Sequence, residues 1–199
     1  MAQRIAVLAS GGGTNLQAIM DFHETRRDVS AGVVALVAAN RSSAGALQRA
    51  REAGIPAEHF DATDDGASLL GLLERHAIDL VVLAGYLKRI PASVTSRFSG
   101  RVMNVHPGLL PDFGGPGMYG ARVHAAVIAS GATMTGVTVH LVDDEFDHGP
   151  VIAQWRVRVR IDDTAESLAD RVLAVEHIVY PRVVDMVAAL NSFGCSADF

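Results

Sequence analysis

Strand-length apolar runs alternate along this chain with stretches of helical periodicity, and that alternation leaves few folds open. The runs occupy 5–9, 33–38, 80–84, 101–105, 137–142 and 151–159, with apolar residues three and four apart over 15–27, 44–53, 67–76, 121–129 and 165–190. Strand, helix, strand, helix in sequence implies parallel pairing through right-handed crossovers. The first four runs are mainly apolar rather than alternating, as burial beneath helices on both faces requires. The expected class is therefore α/β: a doubly wound, mostly parallel sheet with helices on both faces. Only 151–159 alternates, around Gln154, Arg156 and Arg158. It reads as a wet edge, an antiparallel return or the contact of a homodimer. No repeat, linker or composition shift divides the chain, so a single domain is expected over 1–190, with 191–199 a frayed tail.

Composition narrows the function. The 199 residues are 49% hydrophobic, and 17 Lys and Arg against 22 Asp and Glu give a net charge of −5. No basic patch supports a nucleic-acid partner. Cys195 is the one cysteine, which excludes a disulfide framework and a cysteine metal site. No apolar run reaches the roughly 18 residues of a membrane span, and the start lacks the basic and long apolar regions of a signal peptide. A cytoplasmic location and small-molecule partners are expected.

The 19 glycines are clustered, and the clusters mark candidate chemistry. Ser10-Gly11-Gly12-Gly13-Thr14-Asn15 follows the first strand and opens the first helix, where backbone N–H groups and the helix dipole stabilise a phosphate. A plain tight turn uses the same residues. A dinucleotide fingerprint would need glycine at Leu16 and an acid at Asn40, and a P-loop would need Gly-Lys-Ser/Thr, which is absent. Asn104 and His106 lie two apart at the carboxyl end of a buried strand, hence on one side, at the edge where parallel sheets bind ligands. Such a pair can stabilise an oxyanion and deliver a proton, or be satisfied by local backbone. The glycine-rich stretch 108–120 is too long and irregular for a helix or strand and suits a cover over a site. Asp143, Asp144, Glu145 and Asp147 could ligate a cation, although such runs are more often solvated turns. No histidine pair has zinc-helix spacing, and no metal is expected. His124, just inside the helix after the glycine-rich stretch, reads either as a residue that reaches the site or as one that packs outside it. His140 reads as a satisfied sheet histidine, His23, His59 and His76 as surface residues, and His177 as a packing residue.

Four segments together resemble the phosphoribosylglycinamide formyltransferase family, folate-dependent enzymes of purine synthesis. They are Ser-Gly-Gly-Gly-Thr-Asn-Leu-Gln at 10–17, Leu-Ala-Gly-Tyr-Leu at 83–87, Asn-Val-His-Pro-Gly-Leu-Leu-Pro at 104–111 and Asp-Asp-Glu-Phe-Asp-His-Gly-Pro at 143–150. The resemblance covers most of the chain and implies a Rossmann-like formyltransferase fold with 10-formyltetrahydrofolate as co-substrate. It further implies that Gly13, Thr14 and Asn15 hold the substrate phosphate and that Glu176 contacts the ribose. Leu87, Lys88, Arg89 and Ile90 correspond to the segment whose backbone holds the pterin, with Asn104 beside it. Asn104, His106 and Asp147 correspond to the catalytic three, Asp147 within reach of His106 favouring its imidazolium form and also able to relay the amine proton through an ordered water.

Three departures qualify the resemblance. The 112–123 loop is longer than that of familiar members and lacks their extra histidine, so loop contacts are not carried over. His148 replaces the first glycine after the catalytic acid, as an exposed turn residue. No Arg or Lys occurs between Ile55 and Glu74 to meet a folate tail. A formyltetrahydrofolate deformylase would use the same three residues with water as acceptor, though such enzymes carry an N-terminal regulatory domain. A methionyl-tRNA formyltransferase would want a basic C-terminal extension. A nucleotide-binding module with a disabled site is opposed by the intact Asn104, His106 and Asp147.

Overall fold

The computed structural model describes residues 2–193. In chain order the elements are β1 (Gln3–Ala9), α1 (Thr14–Thr25), β2 (Gly32–Ala39), α2 (Gly45–Glu52), β3 (Ala57–His59), α3 (Ala67–Arg75) and β4 (Leu80–Leu83). There follow α4 (Ala92–Arg97), β5 (Val102–His106), α5 (Ala121–Ser130), β6 (Met134–Leu141), β7 (Val151–Arg158) and α6 (Ala165–Ser192). The strands form one sheet in the order β3-β2-β1-β4-β5-β6-β7. β1 to β5 pair in parallel, whereas β6 and β7 return antiparallel, so the sheet is mostly parallel.

Period-two alternation explains why the central strands are apolar throughout. Ile5 and Val7 of β1 face one core with Leu16 and Ile19 of α1, Leu47 of α2, Val127 of α5 and Val183 of α6. Ala6 and Leu8, pointing the other way, meet Leu69 and Leu73 of α3 and Val94 of α4. Each fully buried Leu, Ile or Val contributes about 1.5–3 kcal/mol, so both layers are held by the hydrophobic effect. Helix α6 begins at a capping box, in which Thr164 Oγ1 accepts from the Ser167 amide while Ser167 Oγ accepts from the Thr164 amide.

Sequence periodicity missed β3 and α4. β3 has three half-buried or exposed residues and α4 six, both too short for a period to register. β7 is the antiparallel edge, with Gln154, Trp155 and Arg156 exposed. The expected tail is also corrected. Asn191 and Ser192 belong to the last turn of α6, where Ser192 Oγ donates to the Ala188 carbonyl at 2.9 Å. The rest of that tail beyond Phe193, including Cys195, lies outside the described residues. Among the described residues, no helix is long and apolar enough to cross a membrane.

Candidate active site

β1 leads on one side to β2 and its neighbour β4 leads on the other to β5, so the connections diverge and open a crevice beyond the carboxyl ends of the strands. The glycine-rich turn closes β1 there. Gly13 caps α1 with φ 77° and offers no side-chain cap, so among the described residues the first-turn amides stand free to meet an anion. A Cβ on Gly13 would stand 2.9 Å from the Ala46 Cα, so glycine is required by both conformation and space. Arg49 of α2 reaches across this turn, its Nε donating to the Gly12 carbonyl at 2.8 Å and its Nη1 to Gln17 Oε1 at 3.1 Å. Asn15 Nδ2 donates to Glu176 Oε2 at 2.5 Å. Burial pushes the Glu176 carboxyl up to about 7, the Asn15 bond opposing this only in part.

A cleft of about 460 Å³ continues from Asn15 and Glu176 to Asn104, His106, Asp147 and the segment Leu87, Lys88, Arg89 and Ile90. That is an ordinary size for a small-molecule site. Gly13 and Thr14 are not in its wall. Thr14 lines an adjoining depression with Gln17, Asp21, Arg49 and His177. The Leu87 amide is already committed, donating to Ser10 Oγ at 3.1 Å, while Ser10 Oγ donates to Asn40 Oδ1 at 2.7 Å. These two bonds tie the glycine-rich turn to the 87–90 segment.

Asn104 and His106 do share a face at the end of β5, and the antiparallel register sets His140 of β6 opposite Asn104. Asn104 Nδ2 donates to His140 Nε2 at 3.2 Å, and His140 Nδ1 donates to the Leu141 carbonyl at 2.8 Å. The same Nε2 lies 3.6 Å from Asp147 Oδ1, so its protonation decides which neighbour it bonds. Asp147 Oδ2 lies 3.4 Å from His106 Nδ1 and accepts from the Gly115 amide at 3.0 Å. Burial opposes ionisation of Asp147, but hydrogen bonds from His106 and His140, the His106 charge and the Gly115 amide together hold it well below the usual carboxylate range. His106 Nε2 meets the Phe113 carbonyl at 3.0 Å. Both its nitrogens therefore face acceptors, an arrangement the imidazolium satisfies. Phe113 and Asp147 adopt φ of 57° and 55°, strained for non-glycine residues and concentrated beside His106.

His124, on the first turn of α5, lines the cleft. It is 3% exposed, and its Nδ1 is buried without a partner. Burial first, and the His106 charge second, lower its proton affinity. His148 is exposed and pairs with Asp143 at 2.8 Å, as a turn residue does. The next residue, Gly149, has no such freedom, because a Cβ there would meet the Leu141 carbonyl oxygen at 2.0 Å.

Residues 3–184 match the formyl transferase family. The chain belongs to that family. Phosphoribosylglycinamide formyltransferase, chloroplastic, from Arabidopsis thaliana is 44% identical over 93% of this chain, and the chain spans 65% of that relative's length. Phosphoribosylglycinamide formyltransferase from Escherichia coli is 38% identical over 92% of this chain and 86% of its own length. The crystal structure of glycinamide ribonucleotide transformylase 1 from Symbiobacterium toebii superposes with TM-score 0.86 and 39% identity, covering 94% of this chain and 88% of that one.

In this formyl transferase several placements were not legible in the sequence. His140 is the satisfied sheet histidine expected, buried and bonded at both nitrogens, and it is also a neighbour of Asn104 and Asp147. His23, expected at the surface, is buried, with Nδ1 2.7 Å from the Gly32 carbonyl. Arg49 and the Phe113 carbonyl carried no local signal. The polar residue His140 inside an apolar strand was the one mark that could have been followed.

Proposed function

We propose that this formyl transferase moves the formyl group of 10-formyltetrahydrofolate to the amine of 5′-phosphoribosylglycinamide, giving formylglycinamide ribonucleotide and tetrahydrofolate in purine biosynthesis, in the cytoplasm. The observation that carries this reading is one continuous cleft with three chemistries in line. An uncapped helix end stands beside the Asn15–Glu176 pair, polar Asn104, His106 and Asp147 lie at the centre, and an apolar slot beyond includes Leu83, Leu87, Ile90 and Val142. The slot suits a flat pterin, and the formyl folate is a substrate here, supplying the electrophilic carbon.

The residues act on developing charge. The α1 amides, with Gly13, Thr14 and Asn15 shaping the turn, hold the phosphate, and Arg49 supplies a cation at its edge. Glu176, paired with Asn15, accepts from ribose hydroxyls. When the amine attacks, negative charge gathers on the formyl oxygen, and Asn104 Nδ2 and the His106 imidazolium stabilise it. His106 must exchange its bond to the Phe113 carbonyl for one to that oxygen, so the glycine-rich loop shifts on productive binding. Asp147 sustains the His106 charge and orients its ring.

The test supplies purified protein with 10-formyltetrahydrofolate, with and without the ribonucleotide, and follows tetrahydrofolate. Release only with the ribonucleotide is expected. Release without it would identify a deformylase and overturn the reading, as would no release in either tube.

A further inference from the structure

The apolar end of the cleft is walled by backbone that no regular element holds. β4 ends at Leu83 and α4 begins at Ala92, and residues 84–91 between them belong to no helix or strand. At one end the Ala84 amide donates to the Leu8 carbonyl at 2.8 Å, and at the other the Pro91 carbonyl accepts from the Val94 amide at 2.9 Å. Among the described residues, the main chain of 85–90 makes two hydrogen bonds, and both go to Ser10. The Ser10 amide donates to the Gly85 carbonyl at 3.0 Å, and the Leu87 amide donates to Ser10 Oγ at 3.1 Å. One residue of the glycine-rich turn is therefore the anchor of the whole free-running segment.

Ser10 is buried, and its hydroxyl carries a single proton. That proton goes to Oδ1 of Asn40, the residue after β2, at 2.7 Å, which leaves the oxygen lone pairs to meet the Leu87 amide. Asn40 thus sets the direction of the bond that Ser10 makes, and the two side chains work in series. The phosphate turn does not depend on this hydroxyl. Its three carbonyls are fastened elsewhere: Gly11 accepts from the Ala46 amide at 3.1 Å, Gly12 from Arg49 Nε at 2.8 Å and Gly13 from the Gln17 amide at 2.9 Å. We propose that Ser10, oriented by Asn40, is a positioning residue for the formyl folate, acting through the Leu87 amide to hold 85–90 in place while touching neither substrate with its side chain. Without the hydroxyl the Leu87 amide loses its acceptor and the segment keeps one main-chain anchor. The folate must then order that segment as it binds, and its affinity falls by the entropy so spent. The ribonucleotide, held by a turn with its own fastenings, is spared.

The inference rests on the formyl-transfer reading, and the test separates the two. Calorimetry with tetrahydrofolate and, separately, with 5′-phosphoribosylglycinamide measures the two sites apart and needs no turnover. Ser10→Ala should bind tetrahydrofolate about five- to tenfold more weakly, the worth of one hydrogen bond, while the ribonucleotide binds within about twofold of wild type. Asn40→Ala should weaken tetrahydrofolate in the same sense, and the double variant should bind no more weakly than Ser10→Ala, because both changes break one chain of bonds. A general loosening of the fold would not single out one ligand. A folded Ser10→Ala protein that binds tetrahydrofolate as wild type does, or that loses both ligands equally, overturns the role. Losses that multiply in the double variant overturn the part given to Asn40. Should Ser10→Ala not fold, Asn40→Ala decides by the same comparison of ligands. Wild-type protein that binds tetrahydrofolate but releases none from 10-formyltetrahydrofolate and the ribonucleotide refutes the reaction and not the positioning, and wild-type protein that does not bind tetrahydrofolate refutes both.

Discussion

Replacing Glu176 with glutamine should make this formyl transferase more stable in mild alkali and a poorer binder of the ribonucleotide proposed as its substrate. The carboxyl is 6% exposed and its affinity for a proton is raised, by burial, from 4.5 to about 7. In the unfolded chain the group ionises near its ordinary value, so between pH 4.5 and 7 the unfolded state loses a proton that the folded state keeps. Stability from this group is thus complete below about 4.5 and is lost as pH rises through about 7. At about 1.4 kcal/mol per pH unit the loss amounts to about 3 kcal/mol, a large part of the stability of a typical domain. Glutamine keeps an oxygen to accept from Asn15 Nδ2 and never ionises. Urea unfolding of wild type and Glu176→Gln at about pH 4 and about pH 9 should therefore agree at the lower pH and diverge at the higher, the variant being more stable by up to about 3 kcal/mol, or roughly 10 °C in Tm. The ribonucleotide KM should rise at every pH. Parallel stability curves for the two proteins would show that burial does not burden this carboxylate, and the reasoning would fail.

Asp147→Asn removes the charge that faces His106 and His140, and formyl-transfer turnover should fall about a hundredfold, a loss of the size seen for an oxyanion-stabilising group. Wild-type turnover and pH profile in that variant would refute the assignment. Gly13→Ala places a Cβ 2.9 Å from the Ala46 Cα at φ 77°. It should cost about 1–3 kcal/mol by urea unfolding, and an unchanged midpoint would contradict the packing. Arg49→Ala should weaken binding of the ribonucleotide about tenfold, the worth of one well-placed charge-assisted contact, while leaving a phosphate-free analogue unaffected. Equal loss for both ligands in calorimetry would remove Arg49 from the phosphate site.

The legible part of the molecule was the part encoded by local period. Whole apolar strands announced burial on both faces, and the run 151–159 announced the edge that β7 became. The spacing of Asn104 and His106 fixed their common face, because neighbouring side chains on a strand point oppositely. β3 and α4 were invisible because three and six residues hold too little of a period. His23 was misplaced because a polar residue on α1 gives no sign that Ser30 and the Gly32 carbonyl fold over it.

By itself, then, the amino-acid order determined the layered α/β frame, the glycine turn at the head of α1 and the strand end that carries the polar pair. What it could not determine is which distant groups face one another. His140 meets Asn104 because β6 runs antiparallel to β5 in one register, and a slip of one residue would turn every side chain to the opposite face. Asp147 reaches His106 through a left-handed backbone turn, and Gly115 and Phe113 close on both from a loop without periodicity. The charge and proton affinity of Asp147, Glu176 and His124 belong to those through-space contacts and to burial, which only the folded chain creates.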